Sequence, residues 1–170
     1  IIYTKEINIE NEKTTTEISK IDATNNQELE GAHLSLKDKN GNIIEEWISG
    51  KEAHIIRGLL AGEKYTLHED LAPIGYATAS DVTFTVNADG TPTKVTMKDE
   101  ITKVDISKVD ATNEKEIEGA KLTLTDKETG EVIEQWTSEK EPHRIEGLEV
   151  GKIYILHEDL APVGYEVASD

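Results

Sequence analysis

The sequence predicts an all-β protein made of tandem β-sandwich repeats. Three observations carry that expectation. Segments such as "AHLSLKD", "DVTFTV" and "KVTMKD" alternate apolar and polar residues, the period of a strand with one buried face. Turn clusters "DKNGN", "LAGEK" and "NADG" separate them at short intervals. A long segment also occurs twice, and no stretch keeps a helical period over three turns. Short strands with frequent turns are the signature of a sandwich.

The repeat fixes the domain organisation. "EISKIDATNNQELEGAHLSLKDKNGNIIEEWISGKE" begins at Glu17, and "DISKVDATNEKEIEGAKLTLTDKETGEVIEQWTSEKE" begins at Asp105. The second copy carries one extra residue in its "DKETGE" turn. A unit of roughly 90 residues exceeds solenoid periods and fits an array of small domains. Lining up the approaches places Glu6 to Glu12 opposite Lys94 to Glu100, with Asn11 opposite Asp99. Residues 1–12 are therefore expected to be the last strand of a preceding repeat. Residues 13–100 are a complete repeat, and residues 101–170 are a second repeat lacking its final strands.

Composition excludes several function classes. The chain has 35 acidic and 18 basic residues, a net charge of -17. Such a charge repels nucleic acid and anionic membrane, so neither is expected as a partner. No segment reads as a signal peptide or a membrane span. Apolar residues are 36% and aromatics 5%, so two small cores are expected, and small cores need an added constraint. Cysteine is absent, so the constraint is neither a disulfide nor a thiolate metal site. No cofactor and no metal are expected.

Strand phase singles out a set of ionisable residues. Side chains two apart share a face. Ile18 and Lys20 share one, as do Tyr65, Leu67 and Glu69, and Val95, Met97 and Asp99. The second copy repeats the pattern with Val104, Ile106 and Lys108, then Tyr154, Leu156 and Glu158. Ile7, Ile9 and Asn11 follow the same phase. Strand ends that reach solvent would explain any one of these charges. Several in phase, two of them in both copies, point to groups that are paired or chemically altered, because an unpaired buried charge costs several kcal/mol.

At this level the chain resembles the collagen-adhesin B-type (CnaB) domains of pilins and adhesins on Gram-positive bacteria. The resemblance rests on Lys early in the first strand, on "E-x-x-A-P-x-G-Y" late, and on Asp or Asn closing the last strand. "GLLAGEKYTLHE" and "GLEVGKIYILHE" match the family's Gly-Leu-x-x-Gly-x-Tyr turn before the Glu. The resemblance implies an Ig-like or transthyretin-like sandwich and an intramolecular isopeptide bond. Carried over by position, Lys20 supplies the amine, Asp99 the acyl group and Glu69 the catalytic carboxyl. Lys108 and Glu158 are the second copy's amine and carboxyl. A Lys amine attacks only when neutral, and burial against apolar walls favours neutral amines and protonated carboxyls alike. A protonated carboxyl can polarise the acyl carbonyl and relay the proton to departing water. His68 and Asp70 are expected on the opposite face.

The function implied is mechanical: a stalk or fibre repeat of a secreted protein of the cell wall or cell surface, with neighbouring repeats as partners. A module that binds a host ligand is the alternative, and the sequence does not name such a ligand. Asn11 and Lys108 carry a further expectation. Residues 7–11 of one molecule complete the second repeat of another, head to tail, with loss of ammonia; the alternative is that both ends simply fray. Other motifs read more plainly. "HED" has no serine nucleophile motif beside it, and its neighbours face opposite ways. "DKNGN" lacks the downstream Glu of a calcium loop and reads as a hairpin turn. "DATNNQELEG" reads as a solvated loop. Trp47 and Trp136 occupy equivalent positions, so packing accounts for them.

Overall fold

A computed structural model describes residues 2–170. The chain divides into two compact units, residues 1–73 with 78–100, and residues 74–77 with 101–170. The described residues form strands and turns, with no helix.

Unit one contains β1 (Thr15–Asp22), β2 (His33–Lys37), β3 (Ile43–Ile48), β4 (His54–Arg57), β5 (Lys64–Leu71), β6 (Val82–Thr85) and β7 (Thr93–Asp99). They make two sheets, β4-β1-β7 and β3-β2-β5-β6. β1 runs antiparallel to β4 and parallel to β7, so the first and last strands of the unit lie side by side. Register pairs Ile18 with Val95, Lys20 with Met97 and Asp22 with Asp99. Alternation does what the sequence required. β7 buries Thr93, Val95, Met97 and Asp99 and exposes the residues between them. Ile18, Val95 and Met97 from one sheet share a core with Leu34, Leu36, Tyr65 and Leu67 from the other.

Turn chemistry sets the hairpins. Between β2 and β3, Asp38 Oδ1 accepts the backbone N–H groups of Asn40 and Asn42, each at 2.9 Å. Gly41 adopts φ +83°, which a residue with a Cβ resists. At the edge of the sandwich Trp47 of β3 stacks on His54 of β4, with ring centroids 4.4 Å apart. These strands belong to different sheets, so the stack clasps the layers together. Glu45 holds the imidazole at 3.0 Å. Trp136, His143 and Glu134 repeat the arrangement. Packing thus accounts for both tryptophans.

Unit two contains β8 (Lys103–Ile106), β9 (Lys121–Asp126), β10 (Val132–Thr137), β11 (His143–Glu146) and β12 (Tyr154–Leu160). Its sheets are β11-β8 and β10-β9-β12, which correspond to β4-β1 and β3-β2-β5. No strand of the unit takes the places of β6 and β7. Two consequences are visible. Tyr154 and Leu156 are half-buried, whereas their counterparts Tyr65 and Leu67 are buried. β8 also stops at Ile106, two residues short of Lys108, because no parallel neighbour extends its ladder. Residues 2–12 form no strand in this structure, and they are exposed. Isolated extended chain leaves its backbone bonded only to water, and a strand needs a neighbour.

Candidate functional site: a buried lysine, glutamate and aspartate

Lys20, Glu69 and Asp99 come together in the core of unit one. They are 1%, 1% and 0% exposed, values typical of leucine rather than of charged groups. Each is delivered by a strand whose inward phase it shares: β1, β5 and β7. Lys20 Nζ lies 2.6 Å from Glu69 Oε2 and in direct contact with Asp99 Oδ1. An amine and two carboxyl groups thus meet across the two sheets, close enough for proton transfer and for attack of nitrogen on a carboxyl carbon.

The surroundings hold the three in place. Ala23 N–H donates to the Asp99 carbonyl at 2.9 Å, fastening the ends of β1 and β7. The Lys20 backbone N–H donates to Glu28 Oε2 at 3.2 Å, and Leu29 N–H donates to the Lys20 carbonyl at 2.7 Å. Glu28 therefore ties the loop after β1 back onto Lys20. Sequence reasoning treated that loop as solvated. The matching Glu116, 3.1 Å from the Lys108 N–H, was the available signal. On the other face of β5, His68 Nδ1 contacts Asp81 Oδ1 at 2.6 Å, and Asp70 is exposed.

Electrostatics favour an uncharged Asp99 carboxyl. The Asp99 carboxyl is pushed up from 3.8 to about 6, first by burial, with Glu69 adding to the effect and Lys20 opposing it. Asp99 Oδ2 is buried and accepts no hydrogen bond. A carboxyl oxygen left unsatisfied in a core costs on the order of 1–3 kcal/mol. That cost ends if the oxygen departs.

Unit two holds two of the three parts. Lys108 Nζ lies 3.3 Å from Glu158 Oε1. Glu158 is buried, while the Lys108 side chain is 18% exposed, against 1% for Lys20. No residue of this unit stands where Asp99 stands in unit one. Asn11 is exposed and outside any strand. Among the described residues no cluster of three metal-ligating side chains exists.

Two stacked-sheet units and a buried Lys, Glu and Asp set define the chain as a tandem-domain β-protein. The chain belongs to the SpaA prealbumin-like fold domain family, which matches it twice, over residues 14–101 and 102–170. None of the curated proteins matches it. Among solved structures it is similar to the Bacillus anthracis TIE protein, at 23% identity and a TM-score of 0.53, over 94% of this chain and 31% of that one. It is also similar to a streptococcal ancillary pilin, at 21% identity and a TM-score of 0.49, over 95% of this chain and 57% of that one. The chain thus spans about a third of the first and little more than half of the second.

Proposed function

We propose that the chain is a tension-carrying stalk segment of a Gram-positive surface adhesin or pilus, locked by an amide between Lys20 Nζ and Asp99 Cγ. The observation that carries this reading is the buried contact of Lys20 with both Glu69 and Asp99. Three ionisable groups in an apolar core are costly to keep and simple to remove by condensation. Neutral Nζ attacks Cγ, and the Nζ–Cγ bond forms. Glu69 accepts a proton from Nζ and gives one to the departing oxygen. The Cγ–O bond breaks and one water leaves. Proximity supplies much of the acceleration, with effective molarities on the order of 10⁵ M or more. The product amide carries no charge. Turnover is single, so this is self-modification and not catalysis on external substrates.

Intact mass tests the reading. The wild-type chain is expected to weigh one water less than its sequence. Glu69→Ala and Lys20→Ala should each return the full sequence mass, after allowing for the substitution. A wild-type chain already at full mass sinks the proposal.

A pH test follows from Asp99. Burial in the open folded state pushes its carboxyl up from the free value of 3.8 to about 6. A raised folded value contributes stability that is present below the unfolded value and lost as pH rises through the folded one. Unit one of Glu69→Ala stays open and keeps the burial that is the largest cause of the shift, though not the Glu69 contribution, so it should lose stability to urea as pH rises above about 4 relative to wild type. The closed amide has nothing there to titrate. Parallel pH profiles for the two chains would remove the role given to Asp99.

The second repeat supports a proposal about partners. β8 has a strand neighbour on one side only, and residues 2–12 are exposed with no strand of their own. Edge strands recruit partners. Ile7 to Asn11 of a second molecule can lie parallel to β8 in the register of β7 on β1. Lys108 Nζ would then bond Asn11 Cγ with release of ammonia, joining molecules head to tail. A boiled denaturing gel should show a ladder that Asn11→Ala abolishes. A single band from wild type is the contrary result.

A further inference from the structure

We propose that the short strap from Thr78 to Asp81 is a positioning device for the catalytic carboxyl, with the Ala79 backbone N–H as its working part. The proposal rests on the amide-forming reading above. It explains what the repeated Ala-Pro-x-Gly-Tyr turn accomplishes: the turn reverses the chain after β5 and lays the strap back along that strand.

The strap touches β5 at two consecutive residues. Ala79 N–H donates to Glu69 Oε1 at 2.9 Å. Asp81 Oδ1 contacts the His68 ring at 2.6 Å. His68 and Glu69 face opposite sides of the sheet, so the strap grips both faces. Unit two repeats both contacts at the same spacing. Ala168 N–H donates to Glu158 Oε2 at 2.5 Å, and Asp170 contacts His157 at 2.5 Å. In each unit the carboxyl oxygen away from the strap is the one that faces the lysine: Oε2 of Glu69 at 2.6 Å and Oε1 of Glu158 at 3.3 Å. Unit two has no β7 counterpart and no acyl group in place. The strap therefore forms independently of the third reactive residue.

The chemical consequence follows from hydrogen-bond polarity. An oxygen that accepts an N–H cannot also carry a proton directed at that N–H. The strap therefore assigns Oε1 of Glu69 as acceptor and leaves the acidic proton to Oε2. Oε2 is the oxygen in reach of Nζ. An unrestrained carboxyl would rotate between two equivalent presentations, and half of its orientations would turn the proton away from the reacting atoms. With the strap in place, Oε2 gives its proton to the oxygen that leaves Asp99 and takes one from Nζ in return, so no net proton is gained or lost. Ala79 is a positioning residue, since it acts only through Glu69.

The test uses the full chain and follows intact mass with time after purification, with far-ultraviolet circular dichroism as the check on folding. Ala79→Pro deletes the N–H, and Ala79→Gly keeps it. Ala79→Pro is expected to be isolated largely at the open mass and to close at least tenfold more slowly than the wild type. Ala79→Gly is expected to close fully, which a purely steric role for the methyl group would not give. If Ala79→Pro does not fold, Asp81→Asn and His68→Ala loosen the strap without altering its backbone, and each should slow closure several-fold. Native-like strands with wild-type closure in Ala79→Pro, or in both strap-loosening variants when the proline variant is unfolded, overturn the proposal. A wild-type chain that never loses water overturns the amide reading itself, a different result from closure that ignores the strap.

Discussion

Unit one of Lys20→Ala will melt roughly 20 °C below unit one of the wild-type chain. The proposed amide would join residues 79 apart in sequence and close nearly the whole unit into one loop. By the chain-entropy relation for cross-links, a loop of that length stabilises the folded state by about 4 kcal/mol. A domain of this size shifts its midpoint by about 4–8 °C for each kcal/mol. Deleting the lysine also leaves Glu69 and Asp99 buried without their cation, which adds to the loss. Glu69→Ala separates the two effects, because it keeps Lys20 and Asp99 while preventing closure. Calorimetry of the three chains measures the difference. A Lys20→Ala midpoint within a few degrees of wild type is incompatible with a covalent closure of unit one.

Under tension the contrast becomes larger still. Force enters unit one at the start of β1 and leaves at the end of β7, and these strands are parallel neighbours. With the amide in place, load passes from Thr15 along β1 to Lys20, across the bond to Asp99, and out at Glu100. The residues between Lys20 and Asp99 lie off that path. Pulled from its two ends, wild-type unit one should show almost no unfolding step. Lys20→Ala should release the full intervening chain, an added contour on the order of 270 Å at roughly 3.4 Å per residue. Single-molecule extension curves read this directly. Steps of equal length from both chains would remove the mechanical role.

Much of this was legible in the sequence because strands have a period of two. Lys20, Glu69 and Asp99 each continue an apolar stripe, so each had to face a core whatever the topology. The repeat supplied a second, independent instance at Lys108 and Glu158. Turn chemistry at "DKNGN" also needed only local interactions, as the Asp38 hydrogen bonds show.

Tertiary structure decided what local rules cannot reach. Phase gives the face of a residue but not its neighbour across the core. Only the parallel pairing of β1 with β7 brings Lys20 against an aspartate 79 residues away. Glu28 had only its recurrence as Glu116 to mark it, because its bond to the Lys20 N–H depends on how a loop folds back, which no periodicity encodes. The same holds for the Ala79 N–H, since a backbone donor has no residue type to recognise. Residues 2–12 illustrate the limit from the other side. Their alternation is that of a strand, yet they form none here, because a β-strand is completed by hydrogen bonds to a neighbour and the sequence of one segment cannot supply the other.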